Sequence, residues 1–193
     1  MQNRRRWNIK KCSIVLCAAL ILYVFVLSSG YRNYEIDGLI RNSRPEKVWE
    51  YVADFNKMRV LNPTIINFKI LSDHGHAHDW RYTVEYNERL SHWPYWLNTI
   101  TAKYVVTKSL PDANPVFFSI SSKHESCFFK GIYCLHAISE FFFKPDGSNT
   151  YANEKIKYQC PPLLGSVCRR ELEFQRRAVM HNLTHIFSKP TAQ

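Results

Sequence analysis

Few residues in this 193-residue chain are placed to do chemistry, and most of them sit on otherwise apolar segments. Glu154 is the clearest case. It alternates with Ala152, Ile156 and Tyr158, so an extended strand would put all four on one face. A carboxylate turned inward is unfavourable without a partner. It would either orient a ligand hydroxyl or pair with a basic residue of the helix that follows. His136 and Glu140 share a face with Ile132, Cys134 and Ile138. As a pair they could serve acid–base chemistry, or they are an outward polar face. His74, His76 and His78 alternate at a hairpin tip. Imidazoles so spaced could hold zinc or copper, but solvated histidines have the same spacing, and no metal site is assigned. The nucleophile elbow G-x-S-x-G, the zinc motif H-E-x-x-H, the P-loop and the dinucleotide fingerprint are absent. No catalytic residue and no cofactor is therefore assigned, and enzyme activity is left open, with binding favoured.

The segments that must position these residues follow from periodicity. Residues 31–40 read as a strand. Val48, Trp49, Val52 and Phe55 recur at helical spacing after Pro45, with Ser43 in reach of an N-cap role. A second short helical piece ends at Asn62-Pro63. Residues 65–72 form the next strand, and residues 73–78 its turn. In residues 80–87 Trp80, Tyr82, Val84 and Tyr86 alternate with polar neighbours, as on a strand buried on one side. Strands at 98–109, 116–122, 133–143 and 150–158 follow, with Ile100, Ala102, Tyr104 and Val106 on one face of the first. From residue 163 to 187 Leu172, Val179, Leu183 and Ile186 mark a long amphipathic helix, with Arg169, Arg170, Arg176 and Arg177 off that stripe. The order is strand, two short helices, about six antiparallel strands and one long helix. A curved sheet with one helix laid over it has its interior between the two.

Bulk properties narrow the partners. Hydrophobic content of 46% and aromatic content of 15% suit a globular domain. The net charge is +10, but Arg4, Arg5, Arg6, Lys10 and Lys11 open the chain. Without those five, 21 basic residues face 16 acidic ones, and a nucleic-acid partner loses half its support. Residues 12–29 carry no charge, about the length a membrane-spanning helix needs. With the basic block on the N-terminal side, the positive-inside rule leaves residues 1–11 in the cytosol and residues 12–30 as a signal anchor. Residues 31–190 would then form a lumenal or extracellular domain. A cleaved signal peptide is the alternative, though the apolar run exceeds the ~7–15 residues usual for one.

The folded part holds Cys127, Cys134, Cys160 and Cys168, which allow three pairings. The close pairs 127–134 and 160–168 are the economical choice in an oxidising compartment. Four buried free thiols are the other reading. Asn182-Leu183-Thr184 is a glycosylation sequon in the same compartment. Trp93, Tyr95 and Trp96 crowd a connection around Pro94. They would pack as core, cover a cavity mouth or lie at a membrane interface.

The opening run of the domain, residues 42–63, resembles the start of the START-like (SRPBCC, polyketide cyclase/dehydrase-like) domains. Ser43, Pro45, Val48, Trp49, Val52, Asp54, Phe55 and Asn62-Pro63 carry the likeness, and the element order extends it over roughly residues 33–188. The resemblance implies an α+β helix-grip fold, a curved antiparallel sheet wrapped around the C-terminal helix. It also implies binding of a hydrophobic small molecule such as a lipid, sterol, isoprenoid or polyketide, with or without transfer. Tyr82, Val84, Tyr86, Tyr104, Phe118, Ile120 and Glu154 are the candidates to line that site, or plain core. The competing functions are a cyclase- or dehydratase-type enzyme in the same cavity and an interaction module whose cavity has closed.

Overall fold

The computed structural model describes residues 2–27, 29–76, 79–92, 94–95, 97–109, 116–128, 131 and 133–188. His78, Trp93, Trp96 and Ile132 lie outside them. The element order is α1 (Gln2–Leu27), β1 (Gly30–Ile40), α2 (Pro45–Ala53), α3 (Phe55–Leu61), β2 (Ile65–His76), β3 (Asp79–Arg89), β4 (Leu97–Lys108), β5 (Phe118–Phe128), β6 (Tyr133–Asp146), β7 (Asn149–Cys160), a 3-10 turn at Pro162–Leu164 and α4 (Gly165–Ser188).

The seven strands make one antiparallel sheet in the order β1-β7-β6-β5-β4-β3-β2. Strands β1 and β2 are its two edges, so the α2–α3 pair that joins them bridges from edge to edge. Pro45 occupies the first turn of α2, where its missing N–H is no loss. The N-cap of α2 is Arg44 rather than Ser43. Ser43 Oγ instead donates to the Ile40 carbonyl and to Thr150 Oγ1, joining the end of β1 to β7. Asp54 separates the helices and caps α3 by accepting from the Asn56 amide at 2.9 Å. Asn62 is buried and accepts from Thr64 N and Oγ1, which turns the chain into β2. Val48, Trp49, Val52, Phe55, Met58 and Leu61 are all buried. Trp49 Nε1 donates to the Ser119 carbonyl of β5 at 3.1 Å, so α2 is pinned over the middle of the sheet.

Several strands run past the ends that periodicity predicts, β2 and β5 furthest. Residues 73–76 continue β2 and pair with β3 as far as His76 opposite Asp79. Gly75 permits this with φ +125, a conformation a side chain would strain. Residues 123–128 extend β5 to Phe128, with Cys127 opposite Cys134. A polar run, Lys123-His124-Glu125-Ser126, masks that half of the strand in the sequence.

Both close cysteine pairs are disulfides: Cys127–Cys134 crosses the β5–β6 hairpin, and Cys160–Cys168 ties the end of β7 to the first turns of α4. Among the described residues no helix is long and apolar enough to cross a membrane. Within α1, residues 10–23 are exposed on every side, and the helix touches the body at the 3-10 turn. The Cys160–Cys168 bond closes a short loop, so removing it with Cys160→Ser and Cys168→Ser should lower stability by about 2–3 kcal/mol in chemical denaturation. Hydrogen exchange should quicken first at the start of α4. Unchanged exchange there would show that packing alone holds the helix.

Candidate functional site

Three features set the site: the strand register, the alternation of side chains and the position of α4. Every even residue of β3, β4, β5 and β7 in the region, and every odd residue of β6, faces α4. Near α2 and α3 this concave face is filled by large side chains. Phe118, Phe141, Phe143, Val106 and Tyr82 are buried there, Phe141 stacks on Phe143, and Tyr82 stacks on Tyr104 with centroids 4.8 Å apart. Toward the first half of α4 the side chains shrink. One row across the sheet reads Val84, Ala102, His124, Ala137, Tyr158, and the next Tyr82, Tyr104, Ser122, Ser139, Ile156. Ser126 and Leu135 stand opposite each other nearer the tip of the β5–β6 hairpin. His124, Ser126, Leu135 and Ala137 face inward yet stay half-buried, as do Leu172 and Arg176 on α4. The other members of these rows, Val84, Ala102, Ser122, Ser139, Ile156 and Tyr158, are buried, so the half-burial is confined to the hairpin end of the face and the helix side chains above it.

Polar groups converge on this half of the face. Arg176 reaches down from α4, and its Nη1 donates to Glu154 Oε1 at 3.2 Å. Ser139 Oγ donates to the same oxygen at 2.6 Å. Glu154 is 3% exposed, so this carboxylate owes its tolerance to those two donors. The Arg176 Nε–H is buried and has no hydrogen-bond partner among the described residues. His124 is held at both ring nitrogens, by the Tyr86 hydroxyl at 3.1 Å and Ser122 Oγ at 2.8 Å. Burial, with a lesser push from Arg176, drops its pKa to about 3, so the ring is neutral. Burial raises the Tyr86 and Tyr104 hydroxyls well above the usual phenol range. Glu88 is buried beside Asn98 and Gln175. Burial raises its carboxyl from 4.5 to about 7, against the opposing pull of Arg176. Glu171 accepts from Ser91 N and Oγ and from Gln175, which fixes the start of the β3–β4 connection to α4.

Tyr82, Val84, Tyr86, Tyr104, Phe118, Ile120 and Glu154 all lie buried on the concave face. Of these, Tyr86, Tyr104 and Glu154 stand near Arg176, whereas Phe118 and Ile120 belong to the large-residue half, and the Tyr82 hydroxyl donates to the Ala53 carbonyl. Arg176 is a correction to the helix reading. It lies on the buried stripe, four residues after Leu172 and three before Val179, so its position was available from the spacing. Glu88 extends the alternation of Tyr82, Val84 and Tyr86 by one step. His124 fell beyond the expected end of its strand. His136 and Glu140 are exposed on the convex face, as are His74 and His76 on β2. Among the described residues the one cluster of metal-type ligands is Glu125, Cys127 and Cys134, whose sulfurs are joined to each other. Tyr95 is fully exposed. Asn182 lies on α4 with its Nδ2 donating to the Leu61 carbonyl at 2.9 Å, an atom a glycan would need. Two open grooves of about 660 and 620 Å³ lie on the convex face of β1, β6 and β7, bordered by exposed side chains such as Lys155 and Glu35. Neither approaches Arg176.

No family model and no curated protein matches the chain. Solved structures do. The protein TTHA0849 from Thermus thermophilus aligns at 12% identity with a TM-score of 0.60, over 81% of this chain and 97% of that one. Ginseng major latex-like protein 151 from Panax ginseng aligns at 10% and 0.53, over 82% and 99%. The di-domain ARO/CYC BexL from the BE-7585A biosynthetic pathway aligns at 11% and 0.55, over 96% of this chain and 60% of that one. The chain has the helix-grip, START-like fold. Identities this low extend to fold alone.

Glu88 and His124 give opposite pH signatures. A carboxyl with a raised folded-state pKa stabilises below its unfolded value, and that contribution is lost as pH rises through about 7. An imidazole with a lowered pKa stabilises above 6.5, and its contribution is lost as pH falls toward about 3. Denaturation midpoints measured against Glu88→Gln should therefore fall for the wild type as pH rises from 4.5 to 7. Against His124→Asn the wild type should instead gain over that range. Parallel pH curves for Glu88→Gln and wild type would show that Glu88 titrates normally.

Proposed function

We propose that the chain is a membrane-anchored binding protein for a hydrophobic small molecule (a lipid, sterol or isoprenoid-like compound) held between the sheet and α4, and able to pass it to or from a bilayer. One observation carries this reading. Small and polar side chains line the concave face where α4 covers it, and inward-facing residues there remain half-buried. Binding sites have this make-up, an apolar wall with a few convergent polar groups. A helix-grip domain with a solid core would need large side chains at Ala102, Ser122, Ala137 and Ser139.

The anchor is the uncharged run of residues 12–29, preceded by five basic residues that favour a cytosolic N-terminus. Residues 10–23 of α1 are exposed all round, as a lipid-facing helix would be. Leu27 ends α1 and Gly30 starts β1, so the domain would stand directly on the bilayer. Exposed Leu163 and Leu164 of the 3-10 turn that α1 touches, Phe174 of α4, and Tyr95 of the connection that Glu171 pins to α4 would face that surface. A lumenal or extracellular site agrees with two disulfides.

An enzyme acting on a hydrophobic substrate in the same space is the second reading, favoured by the titratable groups around Arg176. Of these His124 is neutral and engaged at both nitrogens, which leaves Glu88 as the group with a proton to exchange near neutral pH. Mass spectrometry of organic extracts from the purified full chain should find a hydrophobic compound in roughly stoichiometric amount. The binding reading is overturned if none co-purifies and none is taken up from lipid vesicles.

A further inference from the structure

The buried guanidinium indicates the polar end of the ligand. Arg176 is charged at any working pH, and its one ion-pair partner is Glu154, reached through Nη1. Its Nε–H points into the protein without an acceptor, while the side chain as a whole keeps 17% of its exposure. A buried, unpaired donor on a charged group is destabilising. The fold could have filled the position with a leucine of the same stripe. A group that satisfies this donor must be an acceptor, and it must reach the concave face beneath α4.

The neighbouring charges decide which acceptor. Glu154 already neutralises Arg176, and Glu88 and Glu171 are the next carboxyls along the interface. A ligand carboxylate or phosphate entering here would bring a further negative charge beside them, with no second cation in contact. A ligand ammonium would suit the carboxyls but has no lone pair to offer an N–H. Among the described residues none of the neighbouring hydroxyls bonds to Arg176 Nε: Ser139 Oγ donates to Glu154, and Ser122 Oγ and the Tyr86 hydroxyl bond to His124. A neutral oxygen remains. Building on the binding reading above, we propose that Arg176 is the polar anchor of the site and that it selects hydrophobic molecules ending in a single uncharged hydroxyl or carbonyl, over acids and amines with the same hydrocarbon skeleton.

The test keeps the hydrocarbon fixed and changes the head. The purified full chain, held in amphipol, would be offered hexadecane, hexadecanol, 2-heptadecanone, palmitate and hexadecylamine, and retained compound counted by mass spectrometry. The alcohol and the ketone should be retained about tenfold better than palmitate or the amine, the margin expected of one hydrogen bond from a charged donor. Arg176→Lys keeps a charge for Glu154 but lacks the Nε–H, and it should reduce that margin, read as a ratio within each variant, to about twofold or less. Arg176→Leu should do the same. If that variant fails to fold, the wild-type ranking and the lysine variant decide alone. Palmitate or the amine retained as well as the alcohol, or an undiminished margin in Arg176→Lys, would overturn the anchor while leaving a generic binding site standing. Retention of none of the five, hexadecane included, would remove the binding reading itself and the anchor with it.

Discussion

A single curved sheet with one helix to cover it is the constraint from which the rest of this structure follows. The seven strands present one concave face, and α4 together with the short α2–α3 pair must bury it. One helix is narrower than a seven-stranded sheet. The large residues of β3 to β6 fill the gap on the α2–α3 side, where Trp49 and Phe55 add their rings. On the other side no second helix is available, and the side chains of the sheet are small. The half-burial of His124, Ser126, Leu135 and Ala137 there is a consequence of geometry before it is a matter of function.

The charged groups beneath α4 have to be understood together. A guanidinium and a carboxylate taken out of water lose hydration worth several kcal/mol each, and their mutual attraction offsets this only with good geometry and extra hydrogen bonds. Glu154 has both, from Arg176 and Ser139. Arg176 does not, because one face of its guanidinium is left without an acceptor. Replacing the pair by two apolar residues would remove both penalties. Its presence is poor evidence for stability and better evidence for a polar visitor. The same guanidinium sets the neighbourhood: it opposes protonation of Glu88 and His124 and lies among the raised hydroxyls of Tyr86 and Tyr104.

The two disulfides act at the end of the sheet where the side chains are only half-buried. Cys127–Cys134 closes the tip of the β5–β6 hairpin, and Cys160–Cys168 holds the first turns of α4 against β7. The Ser91–Glu171 contacts do the same for the β3–β4 connection. These ties lie where the hydrophobic core is thinnest, at the small cluster of Ile156, Tyr158 and Cys160 that stands apart from the main one.

Local pattern determined much of this in the sequence. Alternation at Tyr82 to Tyr86 and at Ile100 to Val106, the proline at the start of α2, the Asn62-Pro63 stop and the close cysteine spacings are all short-range signals, and a strand or a turn is decided by short-range sterics. They were enough for the element order, the inward face of most strands and both cystine pairs. Pairing β1 with β7, 107 residues away at Ser43 and Thr150, has no such signal, and neither does the edge-to-edge bridge of α2 and α3. The second half of β5 was hidden because Lys123, His124, Glu125 and Ser126 look like a solvated loop until β4 and β6 supply partners on both sides. Arg176 shows the division most sharply. Its spacing placed it on the buried stripe of α4, but an arginine is read as solvated by default, because nothing local offsets its burial. Only the tertiary structure brings Glu154 from a different strand to within 3.2 Å, and that contact turns a surface charge into the centre of the site.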